Sequence, residues 1–237
     1  MLDYAVVIPV FNEQIKLENV LLRCAAAGVG NLIVVDDGST DQSVVVARKH
    51  GATVIQLSQT RGVGWALREG IFRVKEMGVP YCVIMAGNDK DEPNEIERLL
   101  TPLREGKADF VQGSRWLSGG SIGGDMPVYR KWATRLHPGL FSIAVRKHLT
   151  ESTNGFRAFR CSLFDDQRIN LKQKWLDGYE LEPYLLFKVI ALGYRHLEVP
   201  CTKIYPKKSL GVTKMRPILD WWAILRPVIL LGFRLKK

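Results

Sequence analysis

The sequence predicts an α/β domain: a largely parallel central sheet flanked by helices on both faces, with an amphipathic helical tail at the C-terminus. Three observations carry that prediction. Apolar runs alternate with helix-period stretches through the first half of the 237-residue chain, which is the rhythm of βαβ units. Three of those runs end in acidic or amide side chains, as strands do where an open sheet builds a ligand site at its carboxyl edge. The length fits one large domain, or one domain with a small appendage, and is enough to bury a substantial core.

The elements follow in order. Val6-Val7-Ile8-Pro9-Val10 marks a first strand over 4–10, and Ile15, Val20, Leu21 and Cys24 have helical spacing within 14–27. A second strand over 31–35 runs into Asp36-Asp37-Gly38-Ser39-Thr40-Asp41, with a helix near 40–50 behind it. Ser39, Thr40 or Asp41 has the chemistry to cap that helix. A third strand over 53–57 precedes a helix near 62–77, opened by the small residues Gly62, Gly64 and Ala66. The fourth strand, 80–85, runs into Ala86-Gly87-Asn88-Asp89-Lys90-Asp91-Glu92, and Pro93 starts a short helix carrying Ile96, Leu99 and Leu100. A fifth strand is expected over 108–113.

Beyond residue 113 the pattern changes to a Gly-rich piece over 118–125 and an Arg- and Lys-rich helix near 127–149. Another helix begins at Gly178-Tyr179-Glu180-Leu181-Glu182, and a strand covers 194–199. The tail is basic from Thr202 onward and ends in an apolar stretch, 217–233, interrupted by Asp220, Arg226 and Pro227. This divides the chain into a domain over 1–214, with halves 1–112 and 113–214, and a tail over 215–237.

The net charge of +10 implies a polyanionic partner. Nucleic acid is excluded as that partner, because neither an RNA-recognition signature nor zinc-finger spacing nor a basic helix of that kind is visible. Cys24, Cys82, Cys161 and Cys201 form no CxxC pair, so buried thiols in a reducing cytosol are expected. His50, His137, His148 and His196 show no metal-ligand spacing. The first strand follows Met1 so directly that no signal peptide is expected, and no run of eighteen uncharged apolar residues predicts a membrane span.

Three stretches carry a resemblance: VVIPVFNE at 6–13, VVDDGSTDQS at 34–43 and RGVGWALREGI at 61–71. They resemble the nucleotide-binding half of family 2 glycosyltransferases, which have the GT-A fold, and the similarity extends over roughly 4–214. The nearest branch is that of the polyprenyl-phosphate sugar transferases, such as dolichol-phosphate mannose synthase. The resemblance implies an inverting transfer of a sugar from a nucleotide-diphospho-sugar of the UDP or GDP type. The acceptor it implies is a polyprenyl phosphate or a lipid-linked or other glycan. It makes Pro9, Phe11, Glu13, Asp36, Asp37, Gly64 and Asn88 donor-binding residues, with Lys214 of Gly211-Val212-Thr213-Lys214 reaching the diphosphate.

On the acceptor side it assigns Arg115 of Gly113-Ser114-Arg115 to a phosphate, where guanidinium suits bidentate contact. Arg130 and Lys131 join it, as does Asn154 in a stretch, Thr153 to Arg160, expected to floor the sugar site. Glu182 matches the register of the acid that deprotonates a hydroxyl acceptor, with Glu180 as the fallback. An acceptor that is already a phosphate needs no such base.

The chain departs from the family at the fourth strand end. Relatives place a metal-binding DxD where this chain has Ala86-Gly87-Asn88, and a Gln where it has Lys90. Magnesium and manganese want hard anionic oxygens. Either Asn88, Asp89 and Asp91 hold the cation in a shifted register, or Lys90 replaces it as counter-charge to the diphosphate. Two other functions stay open: a decayed nucleotide-sugar-binding or membrane-recruiting subunit, and a nucleotidyltransferase on a similar sheet. Trp221 and Trp222 with flanking cations suit either an anionic membrane surface or packing on the domain. The first of these implies peripheral attachment at the cytoplasmic face.

Overall fold

The structure is a computed structural model that describes residues 2–207, 209, 215–216 and 219–236. Four parallel strands open it: β1 (Tyr4–Val10), β2 (Leu32–Asp36), β3 (Thr53–Gln56) and β4 (Tyr81–Ile84). They are joined by α1 (Gln14–Ala26), α2 (Ser43–Lys49) and α3 (Val63–Glu76). A 3-10 turn at Pro93–Glu95 then leads into α4 (Ile96–Arg104) and β5 (Phe110–Ser114). The second half contains β6 (Ser121–Gly124), α5 (Val128–Val145), β7 (Arg157–Arg160), α6 (Leu181–Ala191), β8 (His196–Pro200), β9 (Thr202–Tyr205) and α7 (Leu219–Gly232).

Seven strands form one sheet in the order β3-β2-β1-β4-β7-β5-β8, and β6 pairs with β9 in a small second sheet. β7 runs antiparallel to both its neighbours, β4 and β5, while the other pairs in the large sheet are parallel. The stretch Thr153 to Arg160, expected only to floor the sugar site, thus contains a central strand, and Arg157 occupies a position where such a strand normally presents an apolar side chain. Arg157 is nevertheless almost fully buried, its guanidinium donating to the carbonyls of Asn154 and Glu182. Burial of that charge is tolerated because it is hydrogen-bonded.

The period-two alternation of β1 divides the core. Ala5 and Val7 face the layer under α3, with Ile33, Val35, Leu67 and Ile71, whereas Val6 and Ile8 face the layer of Leu17, Leu21, Leu99 and Leu100. Each fully buried Val, Leu or Ile contributes about 1.5–3 kcal/mol. At Gly70 the helix lies so close to β1 that a Cβ would sit 2.3 Å from Val7 Cγ1. All four cysteines are buried and free. α7 packs on α5 and α6 through Ile224, Val228 and Leu231, leaving Trp222 exposed. Among the described residues no helix is long and apolar enough to cross a membrane.

Candidate active site

The carboxyl ends of β1, β2 and β4 meet the second half of the chain around one cavity of roughly 1100 Å³. Pro9, Phe11, Glu13, Asp37, Asn88, Lys90, Arg115, Arg130 and Glu182 all line it, so the structure gathers most of the residues singled out from sequence. Residues 211–214, including Lys214, lie outside the described residues.

The first two strand ends hold each other. Asn12, at φ 51°, accepts from the backbone N–H of Thr40 at 2.7 Å, and its own N–H donates to Ser39 Oγ at 2.8 Å. Asp41 accepts from the N–H groups of Gln14 and Ser43, joining the starts of α1 and α2. Asp37 accepts from the N–H groups of Arg61 at 2.7 Å and Gly62 at 2.9 Å, which ties β2 to the start of α3. Burial pushes the Asp37 carboxyl above its ordinary range, and those two amides partly offset the shift.

Asp36 stands differently. It is fully buried and does not line the cavity; Oδ2 accepts from Ser39 N–H and Oδ1 has no hydrogen-bond partner among the described residues. Gly64 does not face the cavity either. The backbone at 176–178 crosses it so closely that a Cβ would lie 2.0 Å from the Leu176 carbonyl oxygen. The close approach that glycine permits here is to the protein's own chain, not to a ligand.

The β4 exit contains the main corrections. Asp89, at φ 58°, turns away from the cavity and accepts from Arg23 Nη1 at 2.7 Å and Asn19 Nδ2 at 3.2 Å, both on α1. Asp91 accepts from Ala86 N–H at 3.0 Å and pairs with the Lys203 ammonium of β9, which also donates to Asn154 Oδ1 at 2.8 Å. Each acid therefore has a cation already, and the two are not brought together as metal ligands. Of the three candidate ligands, Asn88 is the one that lines the cavity, and its buried Oδ1 has no hydrogen-bond partner among the described residues. Among the described residues no three His, Cys, Asp or Glu side chains gather as a metal-binding group. A neutral amide oxygen beside paired acids does not fit a divalent cation.

Lys90 points the other way, into the cavity, with its ammonium 5.2 Å from the Tyr205 ring centroid. Its carbonyl accepts from Ile204 N–H at 2.9 Å, which fixes the turn against β9. Burial, then the charges of Arg130, Lys203 and Lys16, pull its pKa down to about 7. Lys16, from α1, is ion-paired with Glu13 at 3.0 Å.

Across the cavity, Arg115 is buried and committed. Its Nε donates to Glu151 Oε2 at 2.7 Å and its Nη1 to the Tyr205 hydroxyl at 2.9 Å. Although burial works against the charge, Glu151 holds the Arg115 guanidinium above its ordinary pKa. Arg130 lines the cavity from α5, whereas Lys131, one residue on, is exposed outside it. Asn154 is fully buried and braces Gly113, Phe156 and Lys203 rather than facing a ligand.

Glu182 lines the cavity against Gly155, and its Oε1 lies 3.3 Å from Arg157 Nη2, an ion pair without hydrogen-bond geometry. Glu180 pairs with Arg226 of α7. Lys203, Lys16 and Tyr205 were not singled out from sequence. The alternation of β9 was the available signal for the first and last, and the Glu13–Lys16 spacing for the second.

The chain is 31% identical over 218 residues to the undecaprenyl-phosphate mannosyltransferase of Micrococcus luteus, covering 88% of this chain and 86% of that one. It is 27% identical over 231 residues to a dolichyl-phosphate hexose transferase of Haloferax volcanii, covering 96% and 92%. Its fold is similar to the glucosyl-3-phosphoglycerate synthase of Mycobacterium tuberculosis, a structure in complex with Mn2+, uridine diphosphate and phosphoglyceric acid. That match has a TM-score of 0.69 at 21% identity and covers 97% of this chain and 78% of that one. The sequence profile described as Glycosyl transferase family 2 matches residues 5–168, and the chain belongs to that family as a glycosyltransferase with the GT-A fold.

Proposed function

We propose that this enzyme transfers a sugar from a UDP- or GDP-linked donor to a polyprenyl phosphate, with inversion, while seated peripherally on the cytoplasmic face of a membrane. The observation that carries the lipid acceptor is the outward face of α5. Thr134, His137 and Phe141 pack inward, while the opposite face presents Trp132, Leu136, Leu140 and Ile143, the last 77% exposed. Apolar residues normally occupy the inward stripe of a surface helix. An outward stripe flanked by the exposed cations Lys131 and Arg135 suits an anionic bilayer interface.

The same helix lines the cavity with Arg130 and Thr134, so a lipid phosphate at headgroup depth would lie beside the sugar site. The named activities of the Micrococcus and Haloferax relatives support this acceptor class.

In the reaction, an oxygen of the acceptor phosphate attacks the anomeric carbon as the bond to the donor's β-phosphate oxygen breaks. The electron pair leaves with the nucleoside diphosphate. The attacking oxygen is already anionic, so no proton need be removed. A hydroxyl acceptor would instead need Glu182 as base, and its place on the cavity keeps that second reading.

The test supplies radiolabelled UDP- and GDP-sugars with polyprenyl phosphate in anionic vesicles. Label should enter the lipid phase, Glu182→Gln should slow this little, and Trp132→Glu/Leu136→Glu should lose it while still using a short, water-soluble prenyl phosphate. Label that stays in the aqueous phase with every donor overturns the reading. A collapse of turnover in Glu182→Gln shifts the acceptor to a hydroxyl.

A further inference from the structure

A divalent cation in a glycosyltransferase site neutralises the charge that the leaving diphosphate acquires, and something must do so here. At the β4 exit both acids able to bind such a cation are taken up by Arg23 and Lys203, and Ala86 contributes no side-chain oxygen. Between those two acids stands Lys90, whose ammonium makes neither an ion pair nor a hydrogen bond among the described residues. Arg130, Lys203 and Lys16 line the same cavity and act on it as like charges; Lys16 and Lys203 are paired with Glu13 and Asp91, and Asp91 opposes them only in part.

Such a gathering of positive charge disfavours itself until an anion arrives. Among the described residues that line the cavity, ten are Lys or Arg and six are Asp or Glu, so the excess is not confined to Lys90 and its neighbours. A nucleoside diphosphate is an anion of the right class to offset it.

The geometry points to a metal-independent site: we propose that the Lys90 ammonium, supported by Lys16, Lys203 and Arg130, binds the donor's diphosphate and stabilises it as it leaves. The proposal rests on the donor class given above. When the glycosidic bond breaks, the electron pair resides on the β-phosphate oxygen next to Lys90, and no metal–oxygen bond forms or breaks. With the anionic donor bound, an ammonium already aimed at the developing charge acts without reorganisation. The Tyr205 ring lies beside the ammonium, and the Lys90 carbonyl bond to Ile204 holds the turn, so the group is positioned beforehand.

Calorimetric titration of UDP and GDP into the full chain tests this, first with Mn2+ or Mg2+ and then with excess EDTA. Affinity should be the same in both, should fall roughly tenfold or more in Lys90→Ala, and should be largely kept in Lys90→Arg. Thermal melting of each variant, measured alongside, should match wild type. If EDTA abolishes binding while Lys90→Ala binds like wild type, the inference is overturned and the transferase reading stands. If neither nucleotide binds wild type under any condition, both fall.

Discussion

At the end of β2 the Asp37 carboxylate is met by two backbone N–H groups, whereas after β4 Asp89 and Asp91 are each met by a side-chain cation. The acceptor half repeats the second arrangement, with Glu151 on Arg115. An acid bound to backbone amides stands at the cavity wall without a side-chain cation to neutralise it. An acid bound to a lysine or arginine becomes part of the framework. Similar strings of acids at strand ends thus take opposite roles, and the partners decide which.

The largest effect should come from breaking an acid–cation pair where it is most deeply buried. Arg115→Met leaves Glu151 charged and unpaired at 0% exposure, and should cost about 3–5 kcal/mol in urea unfolding. A loss below about 1 kcal/mol would mean that the pair is not structural. Asp37→Ala removes two bonds to a charged acceptor and should lower stability by about 2–3 kcal/mol. It should also weaken UDP or GDP binding in calorimetry, which no framework acid should do; unchanged nucleotide affinity would erase the contrast.

Acid should act on the acceptor half through His196, on β8. Burial, then Lys147 and Arg157, pull its pKa down to about 3. The unfolded chain takes up this proton near pH 6.5 and the folded chain does not. The stability contributed by neutral His196 is therefore complete above about pH 6.5 and declines as pH falls toward 3, by at most about 1.4 kcal/mol per pH unit. His196→Phe should flatten that slope in urea titrations between pH 6.5 and 4.5, and an unaltered slope would assign it elsewhere. The smallest effect is expected at Asp89→Ala, whose partner Arg23 is partly exposed. It should cost less than about 1 kcal/mol and leave nucleotide affinity unchanged.

Much of the fold was legible. The first four strands and their helices follow from alternating periods, and the residues at the ends of β1, β2 and β4 converge because parallel strands place like ends together. What was not legible depends on partners remote in sequence. Asp89 meets a residue 66 positions away and Asp91 one 112 positions away, so no local pattern shows that they are occupied. β7 was hidden because its buried arginine imitates a surface strand. The sequence reading gave the apolar tail two possible settings; in the structure the buried face of α7 lies on α5 and α6, and α5 presents the apolar outward face. Periodicity shows which residues share a helical face but not whether another element covers it.

One buried imidazole joins these acceptor-side parts. His137 of α5 lies 2.7 Å from Ser152 Oγ through Nδ1 and 3.3 Å from the Ile224 carbonyl through Nε2. A carbonyl only accepts, so Nε2 carries the proton and Nδ1 receives the serine hydroxyl. Burial lowers the His137 pKa and keeps the ring in that neutral form. The helix facing outward, the strand-leading loop and the C-terminal helix are thereby fastened at a single ring. A tilt of α5 would therefore be delivered to two walls of the cavity together, through one ring rather than through separate contacts.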